Sequence, residues 1–250
     1  MTMRYRTLEV PVPGGTLFAG VWDSDDLAPD APAARTLLAL HGVTANHVSW
    51  ALVAAELTTS PGTRVLAPDL RGRGRSAELP GPWGMPRHAD DAACLLDAVG
   101  ARSVALAGHS MGAFAATVFA HRHPSRAASL LLVDGGPPLP LPDGMTPAQV
   151  VAATIGPAEA RLRMTFASRE AYLDFWRPHP ALAGHWSAAV EDYLDHDLVG
   201  VAPELHSSCR YEAVVADSTD LVADGTLLAA WTDLPVTPRF LRAPRGLLDG

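Results

Sequence analysis

The chain has 250 residues and a formal net charge of −8, with 48% hydrophobic and 18% charged residues. This length and hydrophobic content suit one α/β domain that carries an insertion. Nucleic acids and anionic membranes are recognised by clusters of positive charge, so the acidic balance argues against both as partners. All 19 basic residues are arginines, which excludes any mechanism that needs a catalytic lysine.

The two cysteines and the N-terminal residues indicate a reducing, cytoplasmic compartment. Cys94 and Cys209 are too few and too far apart in sequence for a disulfide framework or a metal site, so we expect two free thiols. No apolar stretch follows the N-terminal charges, and no run approaches membrane-spanning length. We therefore expect a cytoplasmic protein that acts on a small molecule. The sequence is compatible with a homo-oligomer.

Predicted strands and helices alternate through the first half of the chain. Residues 5–23 alternate apolar and polar around Pro13-Gly14-Gly15, which predicts a β-hairpin. Continuous apolar runs predict buried strands at residues 36–40, 64–67, 103–108 and 128–133. Helices are predicted at 50–57, with Ser49 as the N-cap, at 86–99 and after Ser110. This alternation predicts a mostly parallel, doubly wound α/β sheet with helices on both faces.

Residues 137–235 have a different pattern, with helix-like segments, no strands and frequent prolines. They predict a helical cap inserted between a core of residues 1–136 and a last core strand within 236–250, truncated in the sequence as given. Aromatic residues are frequent in this cap, and most should build its own small core. Trp176 and Trp186 are the candidates for lining an apolar substrate pocket.

The strand predicted at 103–108 runs into Gly108-His109-Ser110-Met111-Gly112, a G-x-S-x-G pattern followed by an alanine-rich helix. The two glycines leave room for Ser110 at a strained position in a sharp turn between strand and helix. Such a turn presents the Ser110 hydroxyl above the sheet edge, where the Met111 N–H can meet a developing oxyanion. Because the pattern alone occurs by chance in many proteins, the flanking strand and helix carry the prediction of a nucleophile elbow.

An ordered set of motifs resembles the α/β-hydrolase superfamily, and within it the capped, esterase-like members. The set comprises His41-Gly42, Asp69-x-Arg71-Gly72-x-Gly74-x-Ser76, the elbow around Ser110, and Gly246-x-x-Asp249. The resemblance implies that the chain adopts the α/β-hydrolase fold with an inserted helical cap, and that Ser110 is the nucleophile.

The same resemblance assigns roles to further residues. The backbone N–H groups of Val43 and Met111 would form the oxyanion hole, with His41 and Gly42 shaping the oxyanion loop. Asp249 stands where such proteins usually keep the acid of the triad. Asp134, one strand earlier, is the second candidate for that acid.

One departure concerns the base, because the superfamily places a histidine after the acid and no histidine follows His206 here. Three explanations remain open. The polypeptide continues beyond Gly250, or a histidine from elsewhere such as His47 or His206 substitutes. In the third, the fold no longer hydrolyses and the protein binds a ligand.

The expected function is that of a serine hydrolase acting on an ester, thioester or lactone of a small to medium apolar acyl compound. The reaction would pass through an acyl-enzyme and need no cofactor. Carbon–carbon bond hydrolysis and cofactor-free rearrangement are alternatives on the same scaffold. The later histidines, at positions 179, 185, 196 and 206, lack the spacing of metal ligands, so no metal site is expected.

Overall fold

The computed structural model describes residues 3–139, 141–223 and 225–242. Its strands are β1 (Arg4–Val12), β2 (Gly15–Asp23), β3 (Arg35–Leu40), β4 (Thr63–Pro68), β5 (Val104–His109), β6 (Ala127–Val133), β7 (Leu198–Val199), β8 (His206–Ser207) and β9 (Pro238–Leu241). Its helices are α1 (Ala51–Leu57), α2 (Met85–Ala98), α3 (Met111–Arg122), α4 (Pro147–Leu162), α5 (Arg169–Trp176), α6 (Ala188–Asp197), α7 (Tyr211–Ala223) and α8 (Gly225–Thr232).

In the part of the chain that the structure describes, seven strands form one sheet in the order β1-β2-β4-β3-β5-β6-β9. The β1–β2 hairpin is antiparallel and joins β4 antiparallel, while β4, β3, β5, β6 and β9 run parallel to one another. Since parallel strands share one carboxyl edge, the turns after β3, β5 and β6 meet there. The predicted α/β fold with a mostly parallel sheet is confirmed.

Local sequence signals explain most of these elements. The predicted β-hairpin is present; it turns at Pro13 and Gly14, and Val12 pairs with Gly15. The helix after β3 differs from the prediction. A 3₁₀ turn at His47–Trp50 precedes α1, and its N-cap is Asn46, whose side chain accepts a hydrogen bond from the Val48 N–H. The Ser49 hydroxyl instead donates to the Asn46 carbonyl, so Ser49 as N-cap was wrong.

The two faces of the sheet are covered unequally by the described residues. Apolar side chains of α2, α3 and α8 pack with the sheet into the main core. The 3₁₀ turn and α1 cover part of the other face through Trp50 and Ala54. A groove of about 1070 Å³ remains on that face, and its lining includes Leu37, Ala105 and Leu131 but not Ser110.

The residues between β6 and β9 are mostly helical, and we call residues 141–223, which hold α4 to α7, the helical segment. The expectation of no strands there was wrong, because β7 and β8 pair antiparallel in a short two-stranded sheet. The division at residue 235 stays a prediction; α8 packs Leu227 and Ala230 into the main core. None of the helices in the described ranges is both long enough and apolar enough to cross a membrane.

Candidate active site

Ser110 occupies the sharp turn between β5 and α3, with φ 51° and ψ −124°. A non-glycine residue with positive φ is strained and persists only where its surroundings enforce it. Here the Ser110 N–H donates to the Val133 carbonyl at 2.8 Å. A Cβ at Gly108 would overlap the Gly112 carbonyl, and one at Gly112 would overlap the Leu40 carbonyl. Both glycines are therefore needed for the close packing of strand and helix.

His41 shapes the loop that follows β3. Its ring is fully buried; Nδ1–H donates to the Gly42 carbonyl at 2.8 Å, and Nε2 accepts from the Leu70 N–H at 2.9 Å. Burial lowers the pKa of His41 to about 3, so the ring is neutral at pH 7. The neutral ring fixes the loop that carries the Val43 N–H.

Arg73 contacts both residues of the predicted oxyanion hole. Its Nε donates to the Val43 carbonyl at 2.9 Å, and its Nη2 lies 3.7 Å from the Met111 sulfur. The buried guanidinium is neutralised by Asp217 of α7, which also accepts from His88 Nε2 at 3.0 Å. Through these contacts Arg73 joins the loop after β3, the elbow and α7.

Only one of the two candidate acids lies within the described residues. Asp249 lies outside the described residues. Asp134 directly follows β6 with φ 50°, and its N–H donates to the Leu241 carbonyl at 2.9 Å. Its Oδ1 is buried, and no partner for it occurs in the described ranges. A Cβ on the next residue, Gly135, would press on the Ser110 carbonyl, so the Asp134 turn packs directly against the elbow.

All ten histidines of the chain are described, and in that part of the chain no hydrogen bond joins one of them to the Ser110 hydroxyl. His47, a candidate substitute base, is fully buried with both ring nitrogens engaged, Nδ1 by Asp69 and Nε2 by the Tyr5 hydroxyl. His206 is exposed, and its Nδ1 lies 2.9 Å from the Ser207 carbonyl. Neither forms a hydrogen bond with the Ser110 hydroxyl in the described residues.

A cluster of buried His47 and Asp69 with half-buried His196 was not predicted. Its ligating atoms lie within 4.8 Å of one another, a donor set of a type that divalent metals use. Here each atom is engaged within the cluster: Asp69 Oδ1 lies 2.8 Å from His47 Nδ1, and Oδ2 lies 2.7 Å from His196 Nε2. Burial alone would raise the pKa of Asp69, but these hydrogen bonds hold it well below its usual range. The three residues are distant in sequence, so no spacing rule could find the cluster.

The two predicted pocket tryptophans have different surroundings. Trp186 donates to Glu191 at 2.9 Å and lies under the Arg177 guanidinium. Both partners belong to the helical segment. Trp176 lies 4.8 Å from the guanidinium carbon of Arg161, which reaches the loop after β3. The structure thus connects Trp176, and not Trp186, with the loop that carries Val43.

Residues 35–166 match the model of a family described as alpha/beta hydrolase fold. Lipase LipV of Mycobacterium tuberculosis (strain ATCC 25618 / H37Rv) is 36% identical over 139 residues, which cover 53% of this chain and 50% of the lipase. The chain spans half or less of the length of the curated relatives it matches first.

Two solved structures share the fold over nearly the whole chain. The thioesterase domain from the curacin biosynthetic pathway superposes with a TM-score of 0.73 at 19% identity, covering 100% of this chain and 86% of that domain. E-2-(acetamidomethylene)succinate hydrolase gives a TM-score of 0.73 at 20% identity, covering 95% of this chain and 80% of the hydrolase. The sheet order, the turn at Ser110 and the family match lead to one conclusion: this chain belongs to the α/β-hydrolase fold family.

Proposed function

We propose that the protein is a serine hydrolase that cleaves an ester, thioester or lactone of a small to medium, largely apolar acyl compound. The observation that carries the proposal is the backbone of Ser110, held at φ 51° between β5 and α3. A strained serine in a turn of this kind is the arrangement that exposes a nucleophilic hydroxyl at the carboxyl edge of the sheet.

In the proposed reaction, the Ser110 oxygen attacks the acyl carbonyl. The N–H groups of Val43 and Met111 donate hydrogen bonds to the developing oxyanion, and the alcohol or thiol leaves with the proton of the serine hydroxyl as the acyl-enzyme forms. Water then attacks the acyl-enzyme and releases the acid. Asp249 is kept as the proposed acid of the triad, with Asp134 as its alternative. No base is assigned among the ten histidines.

Two comparisons support this class of substrate. The lipase relative, at 36% identity, matches about half of the chain and is named for ester hydrolysis. The curacin-pathway structure is a thioesterase domain. Esters and thioesters share the step at which an oxyanion hole acts, and both would be cleaved through the same acyl-enzyme.

The test is covalent labelling by a fluorophosphonate together with turnover of p-nitrophenyl esters of increasing acyl length. We expect one phosphonate adduct, located on Ser110 by peptide mass mapping, and ester turnover that Ser110→Ala abolishes. Ser129, an exposed serine of β6, supplies the control, because Ser129→Ala should leave both signals unchanged. Turnover that survives Ser110→Ala would refute the proposal.

A second candidate, ligand binding without turnover, is favoured by one observation: within the described residues no hydrogen bond joins a histidine to the Ser110 hydroxyl. A serine without a positioned base is a weak nucleophile. This candidate predicts neither an adduct nor turnover, together with saturable binding of the intact ester. The labelling experiment therefore separates the two candidates.

A further inference from the structure

Arg161 of α4 reaches from the helical segment to the loop after β3. Its Nη2 donates to the Thr44 hydroxyl at 3.0 Å. Thr44 directly follows Val43, whose N–H is the proposed oxyanion donor. Arg161 thus places a guanidinium against the loop that carries this donor.

Arg161 is also the exception among the arginines of the helical segment. The other four each lie within 4 Å of a carboxylate: Arg163 with Glu159, Arg169 with Asp195 and Glu191, Arg177 with Asp174 and Glu191, and Arg210 with Glu212. Arg161 is half-buried and pairs with no carboxylate in the described ranges; its guanidinium stacks over Trp176 instead. A partly buried guanidinium that forms no ion pair is well suited to hold an anionic ligand.

Within the described ranges, no carboxylate forms an ion pair with Arg161. The carboxylate of Asp197 is buried and accepts hydrogen bonds from the hydroxyls of Tyr172, Ser207 and Ser208. Burial raises the pKa of the Cys209 thiol to about 11, so this neighbour is uncharged at pH 7. The Cys209 sulfur lies 3.9 Å from the Val43 carbonyl, and Arg161 and Arg73 both act against the rise of its pKa. Arg161 therefore interacts with the Thr44 hydroxyl and the Trp176 ring rather than with a carboxylate.

We infer that Arg161 is a binding residue for a carboxylate on the acyl part of the substrate, so that the preferred substrates are half-esters or half-thioesters of dicarboxylic acids. This inference rests on the proposed function and adds one anionic group to an otherwise apolar acyl chain. A planar guanidinium with one N–H engaged by Thr44 keeps further donors for a bidentate contact with the carboxylate.

Binding is measured in Ser110→Ala, so that the result does not depend on turnover. The probes are the monomethyl esters of succinic, glutaric and adipic acid, each compared with its dimethyl ester by isothermal titration calorimetry. We expect the best half-ester to bind at least about tenfold more tightly than its diester, the range of one charge-assisted hydrogen bond. Adding Arg161→Gln should remove this preference. Adding Arg163→Gln should keep it, because Arg163 lies on the exposed end of the same helix and pairs with Glu159.

Equal binding of half-esters and diesters would overturn the inference, and so would a preference that persists with Arg161→Gln or disappears with Arg163→Gln. The fluorophosphonate labelling of Ser110 uses a neutral reagent and reports the proposed function separately. Labelling without a half-ester preference refutes the inference alone. A half-ester preference without labelling refutes the serine-hydrolase proposal and leaves a carboxylate-binding site.

Discussion

Replacing Asp217 with asparagine should destabilise the fold by about 3–5 kcal/mol, the usual cost of breaking a buried ion pair. The side chains of Asp217, Arg73 and His88 are all fully buried. Asp217 is the carboxylate that neutralises Arg73, and it also accepts a hydrogen bond from the Gly84 N–H at 2.6 Å. Asparagine would leave the buried guanidinium without a counter-ion, and the Val43 carbonyl would lose a well-anchored donor.

The same ion pair makes stability depend on pH. Burial alone would raise the pKa of Asp217, but Arg73 and His88 lower it from its ordinary value of 3.8 to about 2. The unfolded chain therefore binds this proton more readily than the folded one. The stabilisation by Asp217 is fully present above about pH 4 and is lost as the pH falls toward 2. The difference in pKa corresponds to about 2 kcal/mol.

The assay is urea unfolding followed by circular dichroism, at about pH 7, pH 5 and pH 3. Glu212→Gln on the same helix is the control, because its side chain is 64% exposed and its contact with Arg210 is 3.9 Å long. This control should change the free energy of unfolding by less than about 0.5 kcal/mol. The gap between wild type and Asp217→Asn should narrow as the pH falls. The reasoning fails if Asp217→Asn stays within about 1 kcal/mol of the control at pH 7, or if the gap is independent of pH.

Two further predictions concern the acid and the elbow. Asp249→Asn should lower kcat for p-nitrophenyl esters by about 10³ to 10⁴-fold. Asp134→Asn should lower kcat less than about tenfold, because asparagine also tolerates the positive φ at this position. The opposite order of the two effects would make Asp134 the acid. Gly112→Ala should destabilise the fold by at least about 2 kcal/mol, because its Cβ overlaps the Leu40 carbonyl. Gly156→Ala, in a helix with open space around the new Cβ, should be neutral or slightly stabilising in the same urea unfolding assay. Equal effects of the two substitutions would contradict the steric argument.

Local patterns were sufficient to predict the sheet. The alternation that ends at Val12, the buried run at Leu38 and the glycines around Ser110 each specify a backbone shape within a few residues. The N-cap before α1 was missed because Asn46 and Ser49 are both good capping residues. The 3₁₀ turn begins at His47, so Asn46 is the residue in the N-cap position.

The polar contacts that surround the site could not be predicted in the same way. Asp217 lies 144 residues from Arg73, and His196 lies 127 residues from Asp69. A signal was present for one of them, because Asp217 follows Ala213 and Val214 at helical spacing and both of these are fully buried. An aspartate on an apolar helix face indicates a buried partner, although it does not say which residue that partner is.

The helical segment joins the core through polar contacts that converge on the loops around the elbow. Asn46 donates to the Tyr193 carbonyl at 3.0 Å. Arg161 donates to Thr44, which lies two residues before Asn46 in the same loop. Through Arg73, α7 is tied to the carbonyl of Val43 as well. Polar contacts of this kind are specific in geometry, so the position of the helical segment and the position of the oxyanion loop are set together. The proposed acyl site is therefore a joint product of the sheet, which holds the serine, and of the helical segment, which holds the loop opposite it.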